Sequence, residues 1–269
     1  MAVVSIQKLL YQAIQAAVQA GQEIRAVYET AFTVENKPDA SPITQADLNA
    51  NVVINQRLAA TGIPIISEEN KEVPYAIRKE WQRCWIVDPL DGTKEFINRN
   101  GEFAVNIALV ELGMPVLGVI YAPVTGELFF ADVAKGLACK ASVWSLKTLE
   151  CALNEALVLK PFQLTKENVV VVTSRSHRDA LLEDYIGELN KEFDEVFVLT
   201  KGSSLKFCLL AEGGAQFYPR FSPTMEWDIA AGHALCKAIG MKLISIDTNQ
   251  EMKYNRVNLT NGNFVVSYE

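Results

Sequence analysis

The spacing of apolar residues predicts two helices at the start of the chain. Apolar side chains recur every three or four positions through residues 3–28, which is typical of a helix with one buried face. The segment "PDASPIT" interrupts this spacing, and a second helix is predicted from about Pro42 to Leu58. Three of its apolar residues are expected to face the core in part: Leu48, Val52 and Ile54.

Short apolar segments separated by turn residues predict strands in the next part of the chain. They are "IPIIS", "CWIVD", "AVNIALVEL", "PVLGVIYA", "GELFFAD" and "GLACK". From residue 168 onward, strand-like and helix-like segments alternate, beginning with "NVVVVTS" and "RDALLEDYIGELNKEF". Residues 141–167 have neither periodicity, so we predict an α+β domain over residues 1–145 and an α/β domain over residues 146–269.

Composition narrows the class of protein. The chain has 269 residues, of which 49% are hydrophobic and 21% charged, and this is typical of a globular protein. No apolar run reaches about 18 residues and no basic leader is present, so we expect no membrane span and a cytoplasmic location. Peripheral association with the cytoplasmic face of the inner membrane stays open, and the sequence does not specify an oligomeric state.

Charge and residue counts exclude several kinds of partner. A net charge of −7 argues against binding a nucleic-acid polymer, and an anionic substrate would require cations in its site. The five cysteines include no CxxC pair, and only two histidines occur. Neither a disulfide framework nor a zinc site is therefore indicated, and buried thiols are expected.

Four acidic residues stand at the ends of predicted elements. Glu68 follows "IPIIS", Asp88 and Asp91 follow the apolar run of "CWIVD", and Asp228 lies at the start of a helix. Two carboxylates this close at a buried strand end destabilise each other's charged form. Mg²⁺ would remove the conflict because it prefers carboxylate oxygens. The alternative is a solvated turn, since "DPLDG" is also common turn chemistry.

The residues around these two acids suit a phosphate. Pro89 fixes the backbone between them, and Gly92 allows the chain to approach a ligand closely. If a helix begins at "TKEFI", the amides of Gly92 and Thr93 would face a phosphate oxygen.

Three segments in a fixed order carry a family resemblance. "WIVDPLDGTKEFI", with "ISEE" before it and "EWDIAAGHAL" after it, resembles the inositol monophosphatase family of lithium-sensitive, magnesium-dependent phosphatases. The segments "RNGEFAVNIALV", "SRSH" and "GSSLKFCLLAEGGAQFYPRF" resemble its 3′(2′),5′-bisphosphate nucleotidase branch of the CysQ type. The resemblance covers nearly the whole chain and implies a layered αβαβα sandwich.

The resemblance also implies two or three Mg²⁺ ions. Glu68, Asp88 and the backbone carbonyl of Leu90 would hold the first ion, and Asp88, Asp91 and Asp228 the second. Glu68 would reach a third ion through water. Glu69 does not match a family ligand and is expected to be a solvated neighbour of Glu68.

A catalytic pair is implied in the same way. Thr93 matches the family's catalytic threonine, and Asp47 matches the acid that accepts its hydrogen bond. Thr93 would in turn accept a hydrogen bond from the attacking water. From the residue type alone, Asp47 would be a solvated helix residue.

The implied substrate contacts lie in both halves of the chain. His177 matches a residue near the adenine ring, and three residues match those that bind the phosphate that is not cleaved: Ser203, Lys206 and Arg220. The cleaved phosphate would contact the metal site at Glu68, Leu90, Asp91, Gly92, Thr93 and Asp228. By residue type alone, Ser203 suits a helix cap, Lys206 a solvated helix face and His177 a loop, whereas His233 is expected to be structural.

The implied reaction is removal of the 3′-phosphate of adenosine 3′,5′-bisphosphate, by direct attack of a water that the metal activates. It yields AMP and phosphate, and no serine or cysteine lies in a nucleophile motif. Two alternatives stay open. One is an inositol or sugar phosphate phosphatase, and the other is a catalytically inactive nucleotide-binding module.

Overall fold

The computed structural model describes residues 5–37, 41–162, 167–175 and 180–268. The helices in these ranges are α1 (Ile6–Tyr28), α2 (Gln45–Ala59), α3 (Tyr75–Arg78), α4 (Thr93–Ile97), α5 (Leu149–Asn154), α6 (Ala180–Glu192), α7 (Leu205–Ala211) and α8 (Glu226–Ala238). Short 3₁₀ turns occupy Val133–Lys135 and Leu146–Thr148.

The larger sheet has seven strands in the order β3-β4-β5-β6-β7-β8-β9. A two-stranded hairpin precedes it, formed by β1 (Val34–Asn36) and β2 (Pro42–Thr44). The sheet strands are β3 (Ile65–Ser67), β4 (Arg83–Asp91), β5 (Ala104–Glu111), β6 (Met114–Ala122), β7 (Glu127–Asp132), β8 (Leu137–Ser142) and β9 (Leu157–Leu159). Only β3 and β4 run parallel among these neighbours.

Side chains of this sheet alternate between two hydrophobic cores. In β4, Trp85 and Val87 pack with α1 and α2, whereas Cys84 and Ile86 pack with α7 and α8. This alternation follows from the two-residue period of a strand. A sheet that is buried on both faces explains why its strands read as continuous apolar runs.

The remaining strands form smaller sheets beyond α7 and α8. They are β10 (Asn168–Thr173), β11 (Glu195–Thr200), β12 (Tyr218–Arg220), β13 (Thr224–Met225), β14 (Lys242–Ser245), β15 (Gln250–Glu251), β16 (Thr260–Asn261) and β17 (Phe264–Ser267). β10 pairs in parallel with β11, β13 pairs with β16, and the other four strands follow the order β12-β17-β14-β15. A bridge between Val171 and Phe217 joins β10 to the segment before β12.

Helix α6 covers the outer side of these strands. Leu189 and Phe193 pack there with Val169 and Val171 of β10. The order of layers is therefore α1 and α2, the seven-stranded sheet, α7 and α8, the smaller sheets, and α6. The predicted layered αβαβα sandwich is confirmed.

Helix α8 lies directly on the seven-stranded sheet. A Cβ atom at Gly118 of β6 would lie 2.4 Å from the carbonyl oxygen of Ala231, so only glycine fits there. On the other side of α8, a Cβ at Gly232 would lie 2.1 Å from the ring of Phe207. Glycine at these two positions allows α8 to pack closely on the sheet. Asp228, in the first turn of α8, thereby lies against the sheet.

The structure corrects the second predicted helix. It begins at Gln45 rather than Pro42, because Pro42–Thr44 pairs with Val34–Asn36 as a strand. Leu48 and Val52 are 44% and 54% exposed, so they do not face the core. The buried face of α2 instead carries Ala46, Asp47, Ala50, Asn51, Ile54 and Leu58.

Two other expectations concern the organisation of the chain. The division into domains at residues 145 and 146 stays a prediction, and β9 shows that the seven-stranded sheet continues beyond it. Within the described ranges, no helix has both the length and the apolar character needed to cross a membrane.

Candidate active site

The acidic motif lies in a continuing strand rather than in a turn. β4 extends through Asp91, with a bulge in its pairing to β5 between Asp88 and Asp91. Pro89 lies inside the bulge. Proline has no N–H, and at this position none is needed for a hydrogen bond between the strands. The amide of Leu90 donates to Oδ1 of Asp88 over 3.0 Å. The bulge therefore allows both carboxylates to serve one site, and the solvated-turn alternative is wrong.

Asp88, Asp91 and Asp228 form a compact group of carboxylates. One oxygen from each lies within 4.8 Å of the others, although Asp228 belongs to a different part of the chain. Burial, followed by repulsion from Glu68, Asp91 and Asp228, raises the pKa of Asp88 well above its usual value. Burial and then the charge of Asp91 raise the pKa of Asp228. A hard divalent cation fits this group because it would neutralise charges that the fold leaves close together.

Glu68 lies beside this group and is held by a lysine. Its amide bonds to the carbonyl of Val87 in β4, and its carboxylate lies 2.7 Å from Nζ of Lys37. Lys37 also contacts Glu69 at 2.6 Å. The Glu69 side chain is only 6% exposed, so the expectation that it is solvated is wrong. Burial lowers the pKa of Lys37, but the hydrogen bonds to both glutamates outweigh this effect and raise it.

Asp47 and Thr93 are in contact although 46 residues separate them. Thr93 Oγ1 donates to Asp47 Oδ1 over 3.1 Å. The other oxygen, Oδ2, accepts from the amide and the hydroxyl of Thr44 at 2.7 and 2.6 Å, which closes a capping box at the start of α2. Burial raises the pKa of Asp47, even though the hydrogen bonds from Thr44 and Thr93 lower it.

Gly92 connects the acidic motif of β4 to the next helix. It caps α4 with φ of 97°, which an L-residue rarely adopts. A Cβ here would also lie 3.1 Å from the carbonyl oxygen of Glu102. Thr93 is the first residue of α4, as the sequence predicts, and its hydroxyl additionally lies 3.4 Å from the carbonyl oxygen of Leu90.

Asp91 is held by Ser203 and by two residues that the sequence did not single out, Asn106 and Ser204. Its Oδ2 accepts from Asn106 Nδ2 at 3.2 Å, from Ser203 Oγ at 2.7 Å and from the amide of Ser204 at 2.5 Å. Ser203 has φ of 56°, a left-handed conformation that is unusual for serine. Its predicted part in substrate binding stays a prediction, and the observed contact is with a candidate metal ligand.

A cavity of about 200 Å³ lies next to the three carboxylates. Its walls include Asp91, Ser203, Lys206, Arg220 and Asp228. The predicted phosphate-binding residues and two predicted metal ligands therefore share one space. His177 lies outside the described residues.

Two of the cations that line this cavity, Lys206 and Arg220, are fixed by hydrogen bonds. Lys206 is only 4% exposed, and its Nζ donates to the carbonyls of Lys201 and Ser203 at 3.2 and 2.5 Å. Burial lowers the pKa of Lys206 to about 8. Arg220 donates to Ser174 Oγ over 2.8 Å. The observed contacts rule out a solvated helix face for Lys206.

A second cavity, of about 660 Å³, reaches Glu68 and Asp228 from another side. Its wall includes Lys37, Arg78 and Trp227. Away from both cavities, the buried ring of His233 bonds to Tyr254 and Glu251, so its predicted structural role is confirmed.

Local patterns in the sequence could have indicated some of the residues that support the site. A threonine three positions before Asp47 is the pattern of a capping box, and Asn106 interrupts an otherwise apolar strand. Lys37 had no such signal, because its contacts with Glu68 and Glu69 span more than thirty residues.

The chain is similar in sequence to a known protein family and to several named proteins. Residues 5–268 match the inositol monophosphatase family. The 3′(2′),5′-bisphosphate nucleotidase CysQ of Salmonella typhimurium is 47% identical over 236 residues, covering 86% of this chain and 88% of that protein. The protein of the same name from Buchnera aphidicola is 40% identical over 267 residues, covering 97% and 94%.

The similarity extends to a solved structure. The crystal structure of CysQ from Bacteroides thetaiotaomicron, described as a bacterial member of the inositol monophosphatase family, is 44% identical to this chain. Its TM-score is 0.87, and the match covers 98% of both chains. The likeness therefore includes every layer of the fold.

Proposed function

Because the chain belongs to the inositol monophosphatase family, we propose that it is a 3′(2′),5′-bisphosphate nucleotidase. The proposed reaction removes the 3′-phosphate of adenosine 3′,5′-bisphosphate and yields AMP and phosphate. It extends to this chain what the names of its relatives say of those proteins.

One observation carries the proposal: a single cavity joins the acidic group to fixed cations. Asp91 and Asp228 line the same space as Lys206 and Arg220. A bisphosphate presents two dianions, and a site for it requires metal ligands for one phosphate and protein cations for the other. An inositol monophosphate has only one phosphate and would place no second phosphate beside these cations.

We assign the metal site to the carboxylates at the end of β4 and the start of α8. Asp88, Asp91 and Asp228 would hold Mg²⁺, together with Glu68 and the carbonyl of Leu90. Bound Mg²⁺ would neutralise phosphoryl charge and lower the pKa of a water. Burial and mutual repulsion together raise the pKa of Asp88 and of Asp228, and this supports the assignment.

Asp47 and Thr93 would orient the attacking water. Since Thr93 donates its proton to Asp47, a lone pair of its hydroxyl is available to accept a hydrogen bond from a water. Asp47 is buried, and the capping contacts with Thr44 hold its carboxylate in one rotamer. These contacts support a role in proton transfer.

The second phosphate would bind near Ser203, Lys206 and Arg220, with His177 near the adenine. Lys206 donates to the backbone of the segment before α7, so it would act through electrostatic attraction and by shaping that segment. Arg220, anchored on Ser174, would present its guanidinium to the phosphate.

A substrate panel tests the proposal. Purified protein with Mg²⁺ is assayed for phosphate release from adenosine 3′,5′-bisphosphate, 3′-AMP and inositol 1-phosphate, with and without Li⁺. We expect the highest kcat/KM on the bisphosphate and inhibition by Li⁺. Faster turnover of inositol 1-phosphate would favour the inositol phosphatase alternative. Binding of the bisphosphate without phosphate release would favour the inactive binding module.

A further inference from the structure

Asn106 is a fully buried amide in β5, and the residues of that strand on either side of it, from Ala104 to Val110, are apolar. It lies in β5 opposite Asp88 of β4, and its exposure is 0%. Ala104 and Ala108, two positions away on either side, belong to the core that contains α7 and α8. Strand alternation therefore directs Asn106 toward the face on which Asp228 lies.

The carboxamide of Asn106 joins the two halves of the site. Its Nδ2 donates to Asp91 Oδ2 over 3.2 Å, and its Oδ1 accepts from Ser204 Oγ over 2.6 Å. The amide of Ser204 also donates to Asp91 at 2.5 Å. Asn106, Asp91 and Ser204 therefore form a closed triangle of hydrogen bonds. An amide suits it because one position must donate and the other must accept.

This triangle determines which oxygen of Asp91 can reach a cation. Oδ2 accepts hydrogen bonds from Asn106, Ser203 and Ser204, which uses all of its lone-pair directions. Oδ1 is then the oxygen that remains for a metal ion. The three donors hold the carboxylate in the rotamer that presents it.

The triangle also fixes residues 202–204. Ser203 has a left-handed conformation, and both of its neighbours are held by hydrogen bonds. On one side Ser204 contacts Asp91 and Asn106, and on the other the amide of Gly202 donates to Glu102 over 2.9 Å. Lys206 bonds to the carbonyl of Ser203, so the conformation of this segment also sets the position of that cation.

We propose that Asn106 is a positioning residue that sets the affinity for Mg²⁺ and the affinity for the second phosphate together. It lines neither cavity described above, so it would act through Asp91 and Ser204. The proposal rests on the proposed function for the phosphate, but its effect on Mg²⁺ binding can be measured without a substrate.

Replacement of Asn106 by leucine tests this role. Asn106→Leu has a similar volume but can neither donate to Asp91 nor accept from Ser204. Calorimetric titration of the substrate-free protein should show a Kd for Mg²⁺ that is raised about 10-fold or more, as for other residues that orient metal ligands. The KM for the bisphosphate should rise by a larger factor than the KM for 3′-AMP.

Gln216 offers a matched control. Like Asn106, it has a buried side-chain amide that both accepts and donates a hydrogen bond. Its Oε1 accepts from the amide of Val170, and its Nε2 donates to the carbonyl of Gly213. Gln216→Leu should lower the melting temperature without changing the Kd for Mg²⁺. If Asn106→Leu binds Mg²⁺ as tightly as the wild type, or if both variants weaken binding equally, the proposal is wrong.

A double-mutant cycle with Ser204→Ala separates positioning from general destabilisation. If Asn106 acts through the triangle, the loss of Mg²⁺ affinity in the double variant should be smaller than the product of the two single effects. Independent effects would overturn the proposal. Should Asn106→Leu fail to fold, Asn106→Ser with Ser204→Ala allows the same cycle. Failure of the proposed function would instead appear as a wild-type protein that binds Mg²⁺ but releases no phosphate.

Discussion

Asp47 has two tasks in this structure, and one substitution can separate them. One carboxylate oxygen caps α2 through Thr44, and the other accepts the proton of Thr93. In Asp47→Asn, the amide oxygen can keep both contacts with Thr44. The amide nitrogen then faces Thr93 and reverses that hydrogen bond, so Thr93 can no longer accept from a water while donating to residue 47.

The two tasks predict effects of different size. Each capping contact changes from a charge-assisted to a neutral hydrogen bond, a loss of about 1 kcal/mol. Burial raises the pKa of Asp47, which means that the fold disfavours its charge, and the neutral amide offsets part of this loss. The free energy of unfolding should therefore fall by less than about 2 kcal/mol. Loss of proton transfer should lower kcat by about 10²- to 10⁴-fold, or about 3 to 5 kcal/mol of barrier.

The assay compares steady-state kinetics with denaturant unfolding. For Asp47→Asn we expect a large fall in kcat, with KM little changed and the free energy of unfolding lower by less than about 2 kcal/mol. Thr44→Val is the matched control, since it removes the hydroxyl contacts with Asp47 and with the amide of Ala46 but leaves Thr93 with its partner. It should lower stability by about 1 kcal/mol and keep kcat within a few-fold of the wild type. If folded Asp47→Asn retains kcat within about fivefold, Asp47 and Thr93 are not the catalytic pair.

Three further predictions concern the metal and phosphate sites. Asp91→Asn should weaken Mg²⁺ binding and activity severely while circular dichroism stays native, and unchanged turnover would remove Asp91 from the site. Lys206→Ala should raise KM for the bisphosphate more than for 3′-AMP, and equal increases would contradict its assignment. Burial and then the charge of Asp91 raise the pKa of Asp228 to about 8. The folded protein therefore favours the protonated carboxyl. The stability that this protonation contributes is fully present below the unfolded pKa of 3.8 and is lost as the pH rises through about 8. Metal-free protein should therefore lose unfolding free energy between about pH 5 and pH 8 more steeply than Asp228→Asn does, whereas equal slopes would count against the raised pKa.

Helix and strand periodicity in the sequence was enough to predict most elements of the fold. The first helix, the strands that follow and the alternation after residue 168 all agree with the structure, since a buried face imposes a fixed spacing on apolar residues. The start of α2 was misjudged because proline suits both a helix entry and an edge strand. Pairing with the preceding segment Val34–Asn36 in a hairpin decided between the two.

The acidic motif also led to the prediction of a metal site, but the sequence did not show which residues support that motif. Acids beside a buried strand end indicated a metal site because isolated burial of their charges is unfavourable. The sequence could not show that a bulge, rather than a turn, directs Asp88 and Asp91 into the same space. The sequence did not indicate that Lys37 would form ion pairs with Glu68 and Glu69.

The amino-acid sequence by itself thus determined most of the elements, the order of layers and the residue types of the acidic group. The tertiary structure decided which of those residues meet. Ser203 and Ser204 reach Asp91 across more than a hundred residues of chain, and Asp228 joins Asp88 from still farther along. Local spacing cannot encode such contacts, because they depend on how closely α8 packs on Gly118 and on which face of the sheet each strand presents.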